Sequence, residues 1–155
     1  MARSDDIAAV REVIDRYALG IDRRDWEMVA RCFTDDCRAD YGRSGRWEGR
    51  PGFIRALEDM HAPIGPTLHR MTNHVVDVEG ATAAAVSYLD ALLEVEHRGF
   101  DLLHVAAIYS DRLRLASDGW RIAERRVDNY LWRREHTRGT PPDPVHRRRP
   151  DQEEV

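Results

Sequence analysis

The chain has 155 residues, 42% of them hydrophobic, and a formal net charge of −4, which suits one globular domain with a core of its own. Its 24 basic residues are all arginine and are dispersed rather than lined up in a stripe; this argues against nucleic acid as the main partner and removes Schiff-base chemistry at a lysine amine. No apolar run approaches the ~18 residues of a membrane span, and Met1-Ala2-Arg3-Ser4-Asp5-Asp6 has no hydrophobic stretch behind a basic start, so a cytoplasmic protein is expected.

Ser4 and Asp5 are N-cap types ahead of an apolar stripe at Ile7, Val10, Ile14, Tyr17 and Ala18, which predicts a long first helix. Gly20 and the stretch from Asp22 to Asp25 are expected to end it. Trp26, Val29, Ala30 and Phe33 predict a second, shorter helix, with Asp25 as its N-cap and Thr34-Asp35-Asp36 at its close. A strand through Arg38–Tyr41 and the turn Gly42-Arg43-Ser44-Gly45 before Trp47 read as a hairpin. Pro51 then opens a third helix with Phe53, Ile54, Leu57 and Met60 as its buried stripe. From Thr67 the period changes to two, predicting strands near 67–78, 82–97, 101–116 and 119–133. Each intervening turn carries a glycine: Gly80, Gly99 and Gly119. Helices followed by antiparallel strands make an α+β domain, placed at residues 1–135. Residues 136–155 are rich in proline and charge and poor in apolar side chains, as expected of a mobile tail. Cys32 and Cys37 are too few for a disulfide framework or a cysteine-rich zinc site and are expected to pack as small apolar groups.

Two short motifs carry the chemistry. Tyr17-Ala18-Leu19-Gly20-Ile21-Asp22-Arg23-Arg24-Asp25-Trp26 ends the first helix, and His69-Arg70-Met71-Thr72-Asn73-His74 opens the first long strand. They offer a carboxylate and an imidazole from different elements, as proton abstraction requires. In wording and spacing they resemble the SnoaL-like branch of the NTF2-like superfamily, which includes scytalone dehydratase, bile-acid dehydratases and a dehydrochlorinase. The resemblance runs over roughly residues 5–133. It implies a cone-shaped α+β barrel in which three helices pack on a strongly curved, mixed or antiparallel sheet. It also implies that Asp22 and His69 are the catalytic pair. The seven histidines are scattered without metal-ligand spacing, so no bound cofactor or metal is expected.

Alternation puts His69 on one face with Met71, Asn73 and Val75, and sends His74 to the other. Tyr17, five residues before Asp22, is a candidate proton donor, with core packing the alternative. Tyr41 resembles a second donor in scytalone dehydratase. Tyr88, Asp90 and Leu92 share a face of the next strand; Asp90 is a buried acid if that face is inward and a solvated one if it is not. His104 goes with Leu102, Ala106 and Ile108 and resembles a second pocket histidine. In the last strand Arg125 or Arg126 faces inward, and the family pattern favours Arg125 as a site for an anionic group. No phosphate-binding glycine loop, nucleophile elbow or His-x-x-x-His pair is present.

The expected function is a lyase that eliminates water from a hydrophobic cyclic hydroxy-ketone, such as a steroid or polyketide. An isomerase or cyclase using the same base is the near alternative. A non-catalytic subunit, like the β-subunit of a ring-hydroxylating dioxygenase, is the alternative from another class. Apolar side chains expected on the outer face of the sheet (Val86, Leu93, Val105, Ala107 and Val127) point to a homo-oligomer, and the resemblance, whose dehydratases are trimers, implies trimer ahead of dimer.

Overall fold

The computed structural model describes residues 2–96 and 100–137. The elements are α1 (Ala2–Arg23), α2 (Trp26–Arg31), β1 (Phe33–Asp40), β2 (Arg46–Glu48), α3 (Arg50–His61), β3 (Ile64–Glu79), β4 (Thr82–Glu96), β5 (Phe100–Ala116) and β6 (Gly119–Thr137). They form three helices against one six-stranded mixed sheet in the order β2-β1-β6-β5-β4-β3. All neighbours are antiparallel except β1 and β6, which run parallel. The α+β class is therefore as expected. The last strand continues two residues past the expected domain end at 135; the rest of the tail, and the turn at His97-Arg98-Gly99, lie outside the described residues.

Val10, Ile14, Tyr17 and Ile21 form a stripe at helical spacing along α1, and all four are buried. Each large apolar side chain so buried contributes roughly 1.5–3 kcal/mol. The facing side of β4 carries Ala83, Ala85, Ser87, Leu89 and Ala91, all buried. The strand α1 itself lies closest to is β3. At the far end of α1, Trp120 Nε1 donates to Asp6 Oδ1 at 3.0 Å and ties the helix to β6.

The ends of α1 differ from the sequence reading. The helix begins at Ala2, so Ser4 and Asp5 lie in its first turn rather than capping it. It also runs through Gly20 to Arg23. Gly20 is instead a point of close approach: a Cβ there would lie 2.7 Å from Val29 Cγ2 of α2. Arg24, in the left-handed region at φ 56°, ends the helix. Its N–H donates to Ile21 O at 3.1 Å, and that of Asp25 to Gly20 O at 2.9 Å, the paired bonds of a Schellman turn. Asp25 then caps α2 as expected, its Oδ1 accepting from Met28 N at 2.8 Å. Thr34, Asp35 and Asp36 belong to β1 rather than closing α2.

β3 contains a bulge. Thr72 pairs with Tyr88 and Val75 with Val86, so Asn73 and His74 together oppose Ser87. Asn73 takes φ 53°, a conformation asparagine tolerates better than most residues. The extra residue inverts the alternation beyond it.

Candidate active site

Asp22 and His69 meet at the end of α1. The penultimate residue of the helix faces the start of β3, and His69 Nδ1 lies 2.6 Å from Asp22 Oδ1. The backbone N–H of His69 donates to Asp22 Oδ2 at 2.8 Å, and the Thr67 hydroxyl donates to Oδ1 at 2.8 Å. The side chains of His69 and Asp22 are 8% and 16% exposed. Burial raises the Asp22 pKa, but the hydrogen bonds from the His69 ring, its backbone N–H and Thr67 outweigh this and leave it below the usual carboxylate range. An ionised Asp22 accepts hydrogen bonds only, so the neutral ring keeps its hydrogen on Nδ1 and has its lone pair on Nε2. Among the described residues none hydrogen-bonds Nε2. The geometry is that of an oriented base.

Two further residues complete this corner, neither evident in the sequence. Arg24 donates to Thr67 Oγ1 at 2.9 Å, Gly65 O at 2.8 Å and Ile21 O at 2.6 Å, joining the end of α1 to the start of β3. A non-glycine residue in the left-handed region costs on the order of 1 kcal/mol, which these bonds offset. His61, at the end of α3, stacks its ring 6.2 Å from that of His69 and 5.9 Å from Trp26. Burial lowers its pKa, and its Nδ1–H donates to Leu57 O at 2.7 Å.

Tyr17 and Tyr41 are both on the helix-covered face, and their hydroxyls lie 3.0 Å apart. Burial, with Tyr17 and Tyr109 beside it, pushes the Tyr41 phenol well above its ordinary pKa, so it stays protonated and able to donate. Arg125 faces inward and Arg126 outward, where it pairs with Asp128. Two of the three Arg125 nitrogens are already engaged, while Nη1 is buried and finds no hydrogen-bond partner among the described residues. Asp111, opposite it on β5, receives Nε at 2.8 Å and Nη2 at 2.7 Å. The guanidinium carbon lies 4.2 Å from the Tyr17 ring centroid and 4.7 Å from that of Tyr109. Asp111 was not singled out from the sequence, although it shares the face of β5 that carries Tyr109 and Leu113.

Tyr88, Asp90 and His104 lie elsewhere. On β4 the buried residues are Ala83, Ala85, Ser87, Leu89, Ala91 and Leu93, which turns Tyr88 and Asp90 to the outer face. His104 lies on the same outer face of β5, bonding Asp90 Oδ1 through Nε2. Asp90 also accepts from Arg70 Nη2 at 2.7 Å. These three residues therefore do not join the dyad. The Tyr88–Asp90 face, whose direction alternation leaves open, is the outer one.

The bulge likewise moves His74 inward and leaves Asn73 and Val75 exposed. His74 bridges Ser87 Oγ at 2.7 Å and Asp15 Oδ1 of α1 at 3.3 Å. It does not point away from the core, and replacing it should have a cost. His74→Ala leaves the fully buried Ser87 hydroxyl without this partner, so a loss of about 1–3 kcal/mol is expected. Chemical denaturation measures it.

The helix-covered interior is filled by rings. Phe33–Phe53, Tyr41–Phe53 and Tyr17–Phe33 centroids are 5.0, 5.6 and 5.8 Å apart. Two open grooves, of about 1120 and 630 Å³, are bordered by exposed charged residues such as Arg38, Glu48, Arg112 and Glu124, and neither is lined by the dyad. On the dyad's own face, register places His69, Ala91, Val105 and Trp132 in one row across β3 to β6. Trp132 is 70% exposed there.

A sequence profile of the SnoaL-like domain matches residues 2–126. The protein Rv2910c of Mycobacterium tuberculosis H37Rv is 28% identical over 127 residues, 81% of this chain and 86% of its own. A candidate scytalone dehydratase from Novosphingobium aromaticivorans superposes with a TM-score of 0.76 at 21% identity, over 94% of this chain and 99% of that one. The hexachlorocyclohexane dehydrochlorinase LinA-type3 of Novosphingobium barchaimii does so with a TM-score of 0.80 at 17% identity, over 90% and 97%. Likeness at this identity shows a shared fold, the NTF2-like cone.

Proposed function

The chain belongs to the SnoaL-like domain family, and on that premise we propose that it is a cofactor-free lyase that removes water from a hydrophobic cyclic hydroxy-ketone. The observation that carries this reading is the 2.6 Å contact between His69 Nδ1 and Asp22 Oδ1. His69 Nε2 takes a proton from the carbon beside the carbonyl, and the C–H electron pair forms an enolate. The enolate collapses as the β-hydroxyl leaves with the proton that His69 has taken up, so that water departs, a conjugated enone remains and the imidazole is neutral again. Asp22 stabilises the imidazolium formed in the first step. Tyr17, paired with Tyr41, is the donor for the carbonyl or departing oxygen, and Arg125 packs against its ring. The exposed Trp132 ring, in the His69 row, supports an apolar substrate of the steroid or polyketide kind.

Incubation with cyclic β-hydroxy-ketones tests the proposal. Growth of conjugated-enone absorbance in step with loss of the substrate hydroxyl supports it. Double-bond migration without loss of water would instead mark an isomerase.

We further propose a cytoplasmic homo-oligomer, trimer ahead of dimer, joined through the outer face of the sheet. Leu93, Ala107 and Val127 are buried on the helix-covered side, and of the residues expected outside Val86 is the exposed one. It is joined there by Leu68, Val75 and Tyr88 at 50%, 64% and 47% exposure, a patch of the kind that marks interfaces. Light scattering at micromolar concentration should give about three times the chain mass; the mass of one chain contradicts the proposal.

A further inference from the structure

The left-handed position that ends α1 would suit glycine, yet it holds an arginine whose guanidinium feeds the hydrogen-bond chain of the dyad. Arg24 offers donors only. It donates to Thr67 Oγ1 at 2.9 Å, so the single hydroxyl hydrogen of Thr67 is directed to Asp22 Oδ1 at 2.8 Å. Polarity then runs one way, from Arg24 through Thr67 to Asp22, and the carboxylate meets the His69 ring and backbone N–H with both oxygens as acceptors. The same guanidinium holds Gly65 O at 2.8 Å and Ile64 O at 3.4 Å. It thereby joins the helix end that carries Asp22 to the strand that carries His69.

We propose that Arg24 is a positioning residue that fixes the Thr67 hydroxyl as a donor to Asp22 and sets the Asp22 carboxylate against the His69 ring. Its effect on turnover rests on the reading of His69 as the base; its effect on the dyad does not. Arg24 touches no reacting atom, and its removal acts through Asp22. Without the guanidinium the Thr67 hydroxyl can turn away, Asp22 loses a donor, and the ring loses its fixed partner.

The useful variant is Arg24→Gly, because glycine adopts φ near 56° without strain and preserves the turn while deleting the side chain. Asp22 is followed by carboxyl carbon-13 NMR and the His69 ring by nitrogen-15 NMR, neither of which needs a substrate; His104, on the outer face of the sheet, is followed as a reference. In Arg24→Gly the Asp22 titration midpoint should move up and the share of the Nδ1–H tautomer should fall. Thr67→Val should do the same, and Thr67→Ser should restore the parent spectra. Turnover in Arg24→Gly should fall about 10–100-fold through kcat with KM unchanged. Folded Arg24→Gly with parent-like Asp22 and His69 signals overturns the inference, as does Thr67→Val indistinguishable from Thr67→Ser. Altered spectra in Arg24→Gly, with no elimination by the parent protein, uphold the positioning role and overturn the functional reading alone.

Discussion

His69→Ala should lower turnover by about 10²–10⁴-fold, the usual worth of a general base, with the unfolding transition close to that of the parent. The ring hydrogen-bonds Asp22 through Nδ1, and its removal leaves the backbone N–H and Thr67 still donating to the carboxylate. Asp22→Asn should be severe as well. Its amide can donate to the ring nitrogen, favouring the wrong tautomer, and it cannot stabilise an imidazolium. The double variant should be little worse than the worse single one, because both side chains serve one proton transfer. Steady-state kinetics with the four proteins measures this. Additive losses would mean that the two residues act separately.

The largest effect on stability should come from the ion pair beneath the tyrosines. Arg125 and Asp111 have side chains 0% and 1% exposed. Burial works against the Arg125 charge, but Asp111 more than offsets it and raises the pKa beyond the ordinary arginine value. Asp111→Ala leaves a buried charge without its partner, at a cost of about 3–5 kcal/mol. For a domain of this size that lowers the melting temperature by on the order of 10 °C. Replacing both members with apolar residues of similar volume should recover most of the loss. Thermal unfolding of the single and double variants decides it; a double variant as unstable as the single would mean that the guanidinium's contacts with Tyr17 and Tyr109, not the charge balance, hold this region.

The parts of the molecule legible in the sequence are those set by local pattern. The Val10–Ile14–Tyr17–Ile21 stripe announces α1, and period-two stretches announce β3 to β6. Asp22 and His69 are singled out by the family resemblance of their motifs; from the residues alone a helix-terminal cap and a core histidine are open alternatives. What was not legible depends on tertiary geometry. The two faces of β4 are similarly apolar in sequence, and only the tertiary fold selects Ala83, Ala85 and Ser87 for the inside over Val86 and Tyr88. The Asn73 bulge adds one residue against Ser87 and reverses everything after it, which brought His74 inward. Gly20 reads as a helix stop but is a contact with Val29. Arg24 gives no signal of its own, because the turn it makes is usually marked by glycine. The parallel pairing of β1 with β6 joins segments about ninety residues apart, far beyond any local pattern.

The central claim is that the dyad removes a proton from carbon. Its most direct measurement is the exchange of the hydrogens beside the carbonyl of a cyclic ketone in deuterated water, followed by proton NMR. A ketone with no leaving group confines the reaction to the first step. The parent protein should exchange these hydrogens with deuterium far faster than buffer does, and His69→Ala should reduce the rate to that of buffer. Equal exchange by the parent protein and His69→Ala would contradict the assignment of His69 as the base.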